Sequence, residues 1–360
     1  VVSGEVRALA VAQYARQQAA AVRAAARVRD LWERIDHRRI SGSWQQLAPL
    51  LVAAVSEAQR DAAALADPYV AAVAEAEGAD PTAAGRVRPG AFAGIASDGR
   101  PLLSLLYQPV IDWKVRMLAG QSPDDAFRGS LASALRITRL QVADAGRGAT
   151  GAAMAGRRTI QGYVRVVQPP ACARCIILAG TEYGWNKGFQ RHPRCDCIHL
   201  PTTLIARNQH GRVGGEHFTP TTRPGQSAAG FIDPRAYFNS LSAAEQQRVF
   251  GEAGARAIRE GADLSQIVNA RRGMTTMTAY GRTVQATREG TTRRGAFYRQ
   301  ERARTEARTG TRFARDRIET RQGLPRFELR TPRLMPEEIY RLAASRDEAV
   351  AMLRRFGYLT

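Results

Sequence analysis

The stretch Cys172–Pro201 reads CARCIILAGTEYGWNKGFQRHPRCDCIHLP and holds all four cysteines of the chain. Cys172 and Cys175 form a C-x-x-C pair, and Cys195 and Cys197 form a C-x-C pair after 19 intervening residues. His192 lies three residues before Cys195, and His199 two after Cys197. A C-x-x-C turn puts two thiolates on one side of an ion, and a second close pair can complete a tetrahedron. Structural zinc on Cys172, Cys175, Cys195 and either Cys197 or His192 is therefore the leading reading. Two others stay open: disulfides, which nothing in the sequence ties to an oxidising compartment, and reduced, packed or redox-active thiols. A redox C-x-x-C normally opens a helix in a βαβ unit, and that context is missing. A cysteine-rich closed shell also leaves no position for catalytic water. The bland role for His192, before Pro193, is a hydrogen bond within the loop.

Upstream of the cysteines, Tyr163–Val167 alternates and is β-branched, which predicts a strand stopped by Pro169-Pro170. Most of what precedes it reads as helix. Residues 5–36 are rich in Ala, Arg and Gln without Gly or Pro. Ser41-Gly42-Ser43 is expected to break the chain, with Ser43 capping a helix that carries Trp44, Leu47, Leu51 and Val55 on one face. Asp67-Pro68 starts another helix, 78–101 reads as loop, and Pro101–Leu118 as one helix. Ser122-Pro123-Asp124-Asp125 opens a helix expected to reach about Ala145, where Gly146, Gly148 and Gly151 interrupt or end it.

Downstream, 201–234 has little periodicity. Ser242-x-x-Glu245 is a capping box for a helix to about Glu260, Leu264–Ala270 suggests a short helix, and Pro336–Phe356 a last one. The fold class expected is mainly α (α+β). Residues 1–155 form a helical domain and 156–204 a small Cys/His-rich, β-containing, zinc-knuckle-like module. Residues 205–234 are a linker or arm, 235–270 a helical segment, 271–335 an arginine-rich segment and 336–360 a C-terminal helix, so the C-terminal region is helical and basic.

The 360 residues carry a net charge of +20, with two lysines, Lys114 and Lys187, among 53 basic residues. The arginine-over-lysine ratio is what a GC-rich coding sequence produces; the surplus of positive charge is not. From Arg271 to Arg333 there are 17 arginines against six acidic residues, a surplus of eleven. A basic run of this kind is the footprint of a polyanion partner. Arg271, Arg272, Arg293, Arg294, Arg299, Arg302, Arg304, Arg308, Arg312 and Arg315 are the candidate nucleic-acid contacts. Tyr280, Phe297, Tyr298, Phe313 and Phe327 are interleaved and available in principle to stack on bases, with core packing the better role for Phe313 and Phe327. The bland reading of the segment is a solvated helical face. No membrane partner is expected, since the longest apolar stretch, Leu47–Val55, is far short of the ~20 residues a bilayer needs. The alanine-rich N-terminus, broken by Glu5, Arg7, Arg16 and Arg23, does not read as a secretory signal.

The strand at Val164–Val167, then Cys172, Cys175, Leu178 and Gly180, then His192, Pro193, Cys195 and Cys197, together resemble phage minor head proteins of the Mu F-like type, also called head morphogenesis proteins. The specific motif covers about 40 residues; the Arg- and Gly-containing helix end Arg139–Arg158 is also similar. Tyr237–Met274 looks like the segment that follows the motif in actinobacteriophage versions. The resemblance implies a minor capsid protein acting in procapsid assembly, with portal protein, scaffold, major capsid protein and viral DNA as partners. It implies the capsid interior as location, and the host cytoplasm during assembly.

Relatives are often labelled capsid maturation protease, and that activity needs a nucleophile with a histidine. The sequence has no G-x-S-x-G and no H-E-x-x-H, and Glu216-His217 is isolated. His210 and His217 are the only loop histidines outside the cysteine cluster, so no catalytic residue is assigned. A cellular zinc-containing DNA-binding protein is the third class. It lacks a recognition-helix signature and the spacing of a C-x2-4-C-x12-H-x3-5-H finger.

Overall fold

A computed structural model describes residues 3–186, 188, 195, 197–203, 232–279, 281–293 and 295–359. Among the described residues the chain is mainly α with two small three-stranded sheets. It divides into two units: Val1–Pro169 with Ala179–Phe231, and Pro170–Leu178 with Ile232–Thr360. His192, His210, His217, Tyr280, Arg294 and most of the 205–234 segment lie outside the described residues.

In the first unit α1 (Gly4–Trp32) starts where Ser3 accepts a hydrogen bond from the Val6 N–H at 3.2 Å. Half of its buried stripe is alanine, with Val6, Val28 and Trp32 as the larger apolar anchors, so neighbouring helices approach closely. The helix α2 (Ile40–Ala64) does not wait for Ser43. Ser41-Gly42-Ser43 lies inside its first turn, and the Ser43 hydroxyl donates back to the Arg39 carbonyl at 3.0 Å rather than capping. After α3 (Ala66–Ala76) and a 3-10 turn at Pro89–Phe92, the helix expected from Pro101 to Leu118 is two helices, α4 (Leu102–Leu106) and α5 (Gln108–Leu118). Pro109 explains the break, because it lacks an N–H and disfavours helical backbone before it.

α6 (Pro123–Ala155) is capped by Ser122 at 3.1 Å and runs about ten residues past the expected end. Gly146 and Gly148 mark close packing instead of a stop, and Gly151 is simply carried within the helix. A Cβ on Gly146 would lie 2.7 Å from Gln17 Nε2 of α1, and one on Gly148 would lie 3.2 Å from the Phe92 ring. Trp32, Trp44, Leu51, Val55, Leu102, Leu106, Val110 and Trp113 form the main core of this unit.

β1 (Gly162–Val166) follows as expected. After α7 (Ala173–Ile177) come β2 (Glu182–Gly184) and β3 (Ile198–Thr202). The sheet order is β2-β1-β3, antiparallel, with Tyr163 opposite Tyr183 and Arg165 opposite His199. Val164, Val166, Ile198 and Leu200 share a core with Tyr69, Val73, Ala149 and Met154 of α3 and α6. The Tyr69 hydroxyl donates to the His199 carbonyl at 3.1 Å.

The second unit contains α7, α8 (Pro234–Ser240), α9 (Ala243–Phe250), α10 (Glu252–Arg259) and α11 (Leu264–Arg272). The Ser242–Glu245 capping box is present, but the single helix expected to Glu260 is divided at Gly251. That residue has φ 77° and ψ 156°, a region open to glycine and costly for other residues. A hairpin, β4 (Met274–Ala279) and β5 (Arg282–Thr287), occupies part of the basic segment that was expected to be helical. Its threonine-rich strands lack a clean apolar alternation, and turning at Gly281 (φ 71°) is the only local signal. Then come α12 (Ala296–Thr309), α13 (Arg317–Arg321) and β6 (Arg333–Leu334), which pairs with β5. The expected C-terminal helix is also two, α14 (Pro336–Leu342) and α15 (Arg346–Arg355), the second capped by Ser345 at 3.1 Å.

Candidate metal centre

Strand β1 ends just before the first cysteine pair, and strand β3 begins just after the second, so the fold brings back together what 19 residues separate. Cys172 N-caps the short helix α7, its sulfur accepting from the Cys175 N–H at 3.5 Å. Cys172 is exposed and Cys175 buried. Cys195 and Cys197 are both buried at the approach to β3. The sulfurs of Cys175, Cys195 and Cys197 all lie within 4.8 Å of one another. A tetrahedral ion with bonds of about 2.3 Å needs sulfurs about 3.8 Å apart, so a small contraction suffices. These three buried thiols could hold a metal ion; a set of soft sulfur donors suits zinc and similar ions.

Two buried arginines contact the Cys195–Cys197 pair. Arg165, on the central strand and 1% exposed, directs Nη2 at the Cys197 sulfur (3.5 Å) and the Cys195 sulfur (3.6 Å). Guanidinium N–H donors favour the thiolate form, which is the form that binds a metal. Arg147 of α6 donates Nη1 to the Cys197 carbonyl at 2.9 Å and the Cys195 carbonyl at 3.2 Å, and it is ion-paired with Asp144. Helix α6 therefore fixes the backbone on which two of the sulfurs ride. Neither arginine was singled out from the sequence. The one available signal was Arg147 inside Gly146-Arg147-Gly148, where a charged residue between glycines in a buried helix wall asks for a partner.

Of the sequence candidates, Cys175, Cys195 and Cys197 come together, Cys172 is not part of that group, and His192 falls outside the described residues. His199 is on β3, with its ring 4.1 Å from that of Tyr163.

The basic candidates separate into two kinds. Arg271 donates to the Phe250 carbonyl at 2.7 Å and pairs with Glu337 at 3.0 Å. Arg302, Arg304 and Arg312 pair with Glu306, Glu301 and Glu319. Arg272, Arg293, Arg299, Arg308 and Arg315 are exposed. Phe297 and Tyr298 are buried core residues, so they do not stack on bases; Phe313 and Phe327 pack on each other at 5.4 Å and are half-buried. Arg333, counted in the basic surplus, is 1% exposed and makes four hydrogen bonds within the unit.

No helix among the described residues is long and apolar enough to cross a membrane. No protein-family model, curated protein or solved structure matches the chain.

Proposed function

We propose that this chain is a phage minor capsid protein of the Mu F-like type, acting in procapsid assembly near the portal, with its basic unit against packaged DNA. The observation that carries the reading is the gathering of Cys175, Cys195 and Cys197, because these come from both halves of the motif on which the resemblance rests. The ion is zinc, and its role is structural. Cys172 or His192 supplies a fourth ligand, and a thiolate-rich shell then leaves no position for water. Arg165 offsets the negative charge of the thiolates, and Arg147 holds their backbone. DNA contact follows from the arginine surplus, through neutralised phosphates and released counterions. The partners are portal, scaffold and major capsid protein, and the location is the capsid interior.

Co-expression with the portal, scaffold and major capsid proteins tests this reading. The chain is expected to co-purify with portal-containing procapsids in few copies. Its absence from the particles would reject the assembly role. Specific cleavage of scaffold or capsid protein, lost on changing one Ser or Cys of this chain, would replace it by the maturation-protease reading.

A further inference from the structure

The second unit contains an open groove of about 730 Å³, formed by one side of α12, the extended segment 326–331 and the end of α15. Five arginines line it, Arg304, Arg308, Arg326, Arg330 and Arg355, against two glutamates, Glu301 and Glu328. The glutamates hold two of the five: Arg304 pairs with Glu301 at 2.8 Å, and Arg330 with Glu328 at 3.4 Å. The second of these pairs is almost wholly in solvent, where such bridges contribute little. The side chains of Arg308 and Arg326 make no hydrogen bond or ion pair among the described residues, and the Arg355 guanidinium lies over the Phe356 ring, 5.7 Å from its centre. Phe327 forms part of the floor, held edge-on between Tyr298 and Phe313.

Like charges do not converge on one groove without a cost, and among the described residues no carboxylate pairs with three of the five. We propose that this groove is a phosphodiester-binding site, in which Arg308, Arg326 and Arg355 engage backbone phosphates of a nucleic acid. The inference rests on the reading that the basic unit contacts DNA, and it narrows that contact to one place. Guanidinium forks match phosphate oxygens two at a time, which a cluster of arginines exploits and lysine does not. The half-buried Phe327 gives the floor an apolar surface suited to a sugar or a base edge. Arg326 and Arg355 were not among the residues expected from the sequence. Arg355 lies outside the arginine-rich segment, and only the fold brings it to α12, where its carbonyl accepts from Arg304 at 3.0 Å.

The test uses the full chain, in fluorescence anisotropy with an oligonucleotide as single strand and as duplex across a salt series. The variant is Arg308→Gln/Arg326→Gln/Arg355→Gln. The control, Arg7→Gln/Arg16→Gln/Arg23→Gln, removes the same charge from exposed positions of α1. The groove variant should lose roughly 100-fold in affinity at ~0.1 M salt, and its salt slope should fall by about 2–3, for at least one of the two oligonucleotides. The form that shows the loss identifies the source of the phosphates. The control should change affinity little. If the parent binds but both variants lose equally, the groove assignment is overturned while DNA contact survives. A parent that binds neither oligonucleotide overturns both. A parent bound by polyglutamate as tightly as by DNA, with that binding lost in the groove variant, assigns the groove to an acidic protein partner instead. Circular dichroism of the groove variant, expected to match the parent, shows that any loss is not unfolding.

Discussion

Arg333→Met tests whether this arginine of the basic region is structural. Arg333 sits on β6 and donates Nε to the Phe356 carbonyl at 2.8 Å, Nη1 to the Glu289 carbonyl at 3.0 Å, and Nη2 to Gln266 Oε1 at 2.9 Å and the Gly357 carbonyl at 3.3 Å. Its guanidinium lies 4.3 Å from the centre of the Tyr358 ring. Burial holds its pKa below the ordinary arginine value, a sign that the cation is partly desolvated. Hydrogen bonds to a charged group are each worth about 1.5–3 kcal/mol, so losing four costs roughly 6 kcal/mol or more before offsets. Removing a buried cation returns several kcal/mol of desolvation. The net destabilisation is then about 2–4 kcal/mol. With a urea slope of about 1–3 kcal/mol per molar, the unfolding midpoint of the second unit should drop by roughly 1–2 M. Arg333→Lys should do nearly as badly, because an ammonium cannot reach acceptors on four sides. The salt slope of DNA binding should not change in either variant. A stability loss under about 1 kcal/mol, or a phosphate-type fall in the salt slope, would refute the structural assignment.

Other consequences follow from the same geometry. Arg165→Met should lower metal affinity roughly 10–100-fold in a chelator competition, since it removes the donor shared by the Cys195 and Cys197 sulfurs; unchanged affinity would contradict that role. Gly251→Ala should destabilise the second unit by about 2–4 kcal/mol, from the backbone strain and from the Arg271 guanidinium packed where the new methyl would go; a variant as stable as the parent would show that the α9–α10 break is not required. The Ser122 hydroxyl, with Arg128, holds the Asp125 carboxyl below its usual range, and Ser242 does the same for Glu245. Depressed carboxyl pKa values stabilise the fold fully above about pH 4 and lose that effect as pH falls through the lower folded values. Urea midpoints should therefore fall in acid, and their constancy down to about pH 2 would contradict the linkage.

The sequence was most legible where local chemistry and tertiary packing agree. Ser122-Pro123 and the Ser242–Glu245 box sit where their hydrogen-bonding groups predict, and Tyr163–Val166 is a strand because alternation and β-branching suit a buried central position. It was misleading where glycine and proline have two uses. Gly146 and Gly148 serve helix contact rather than helix ending, whereas Gly251 does end a helix. Pro109 divided a segment that looked continuous, and the break expected at Ser41-Gly42-Ser43 falls earlier, between Trp32 and Ile40. The hairpin in the basic segment stayed hidden because charge dominated the reading of residues whose strand character is carried by threonine. For the candidate metal site, the cysteine spacing pointed to Cys175 and Cys195 and offered Cys197 as one alternative to His192, but it also included Cys172, which is not in the group of three. Arg165 and Arg147 were out of reach, because a lone arginine in a strand or helix carries no mark of what it will face. Charge counting likewise could not tell Arg333, locked in the core, from Arg308 in the open.

The central claim is that Cys175, Cys195 and Cys197 hold a structural zinc ion. Native mass spectrometry of the full chain, purified under reducing conditions without chelator, tests it most directly. The account predicts about one zinc per folded chain, by the four-ligand rule. A folded chain with reduced cysteines and no bound metal would contradict it.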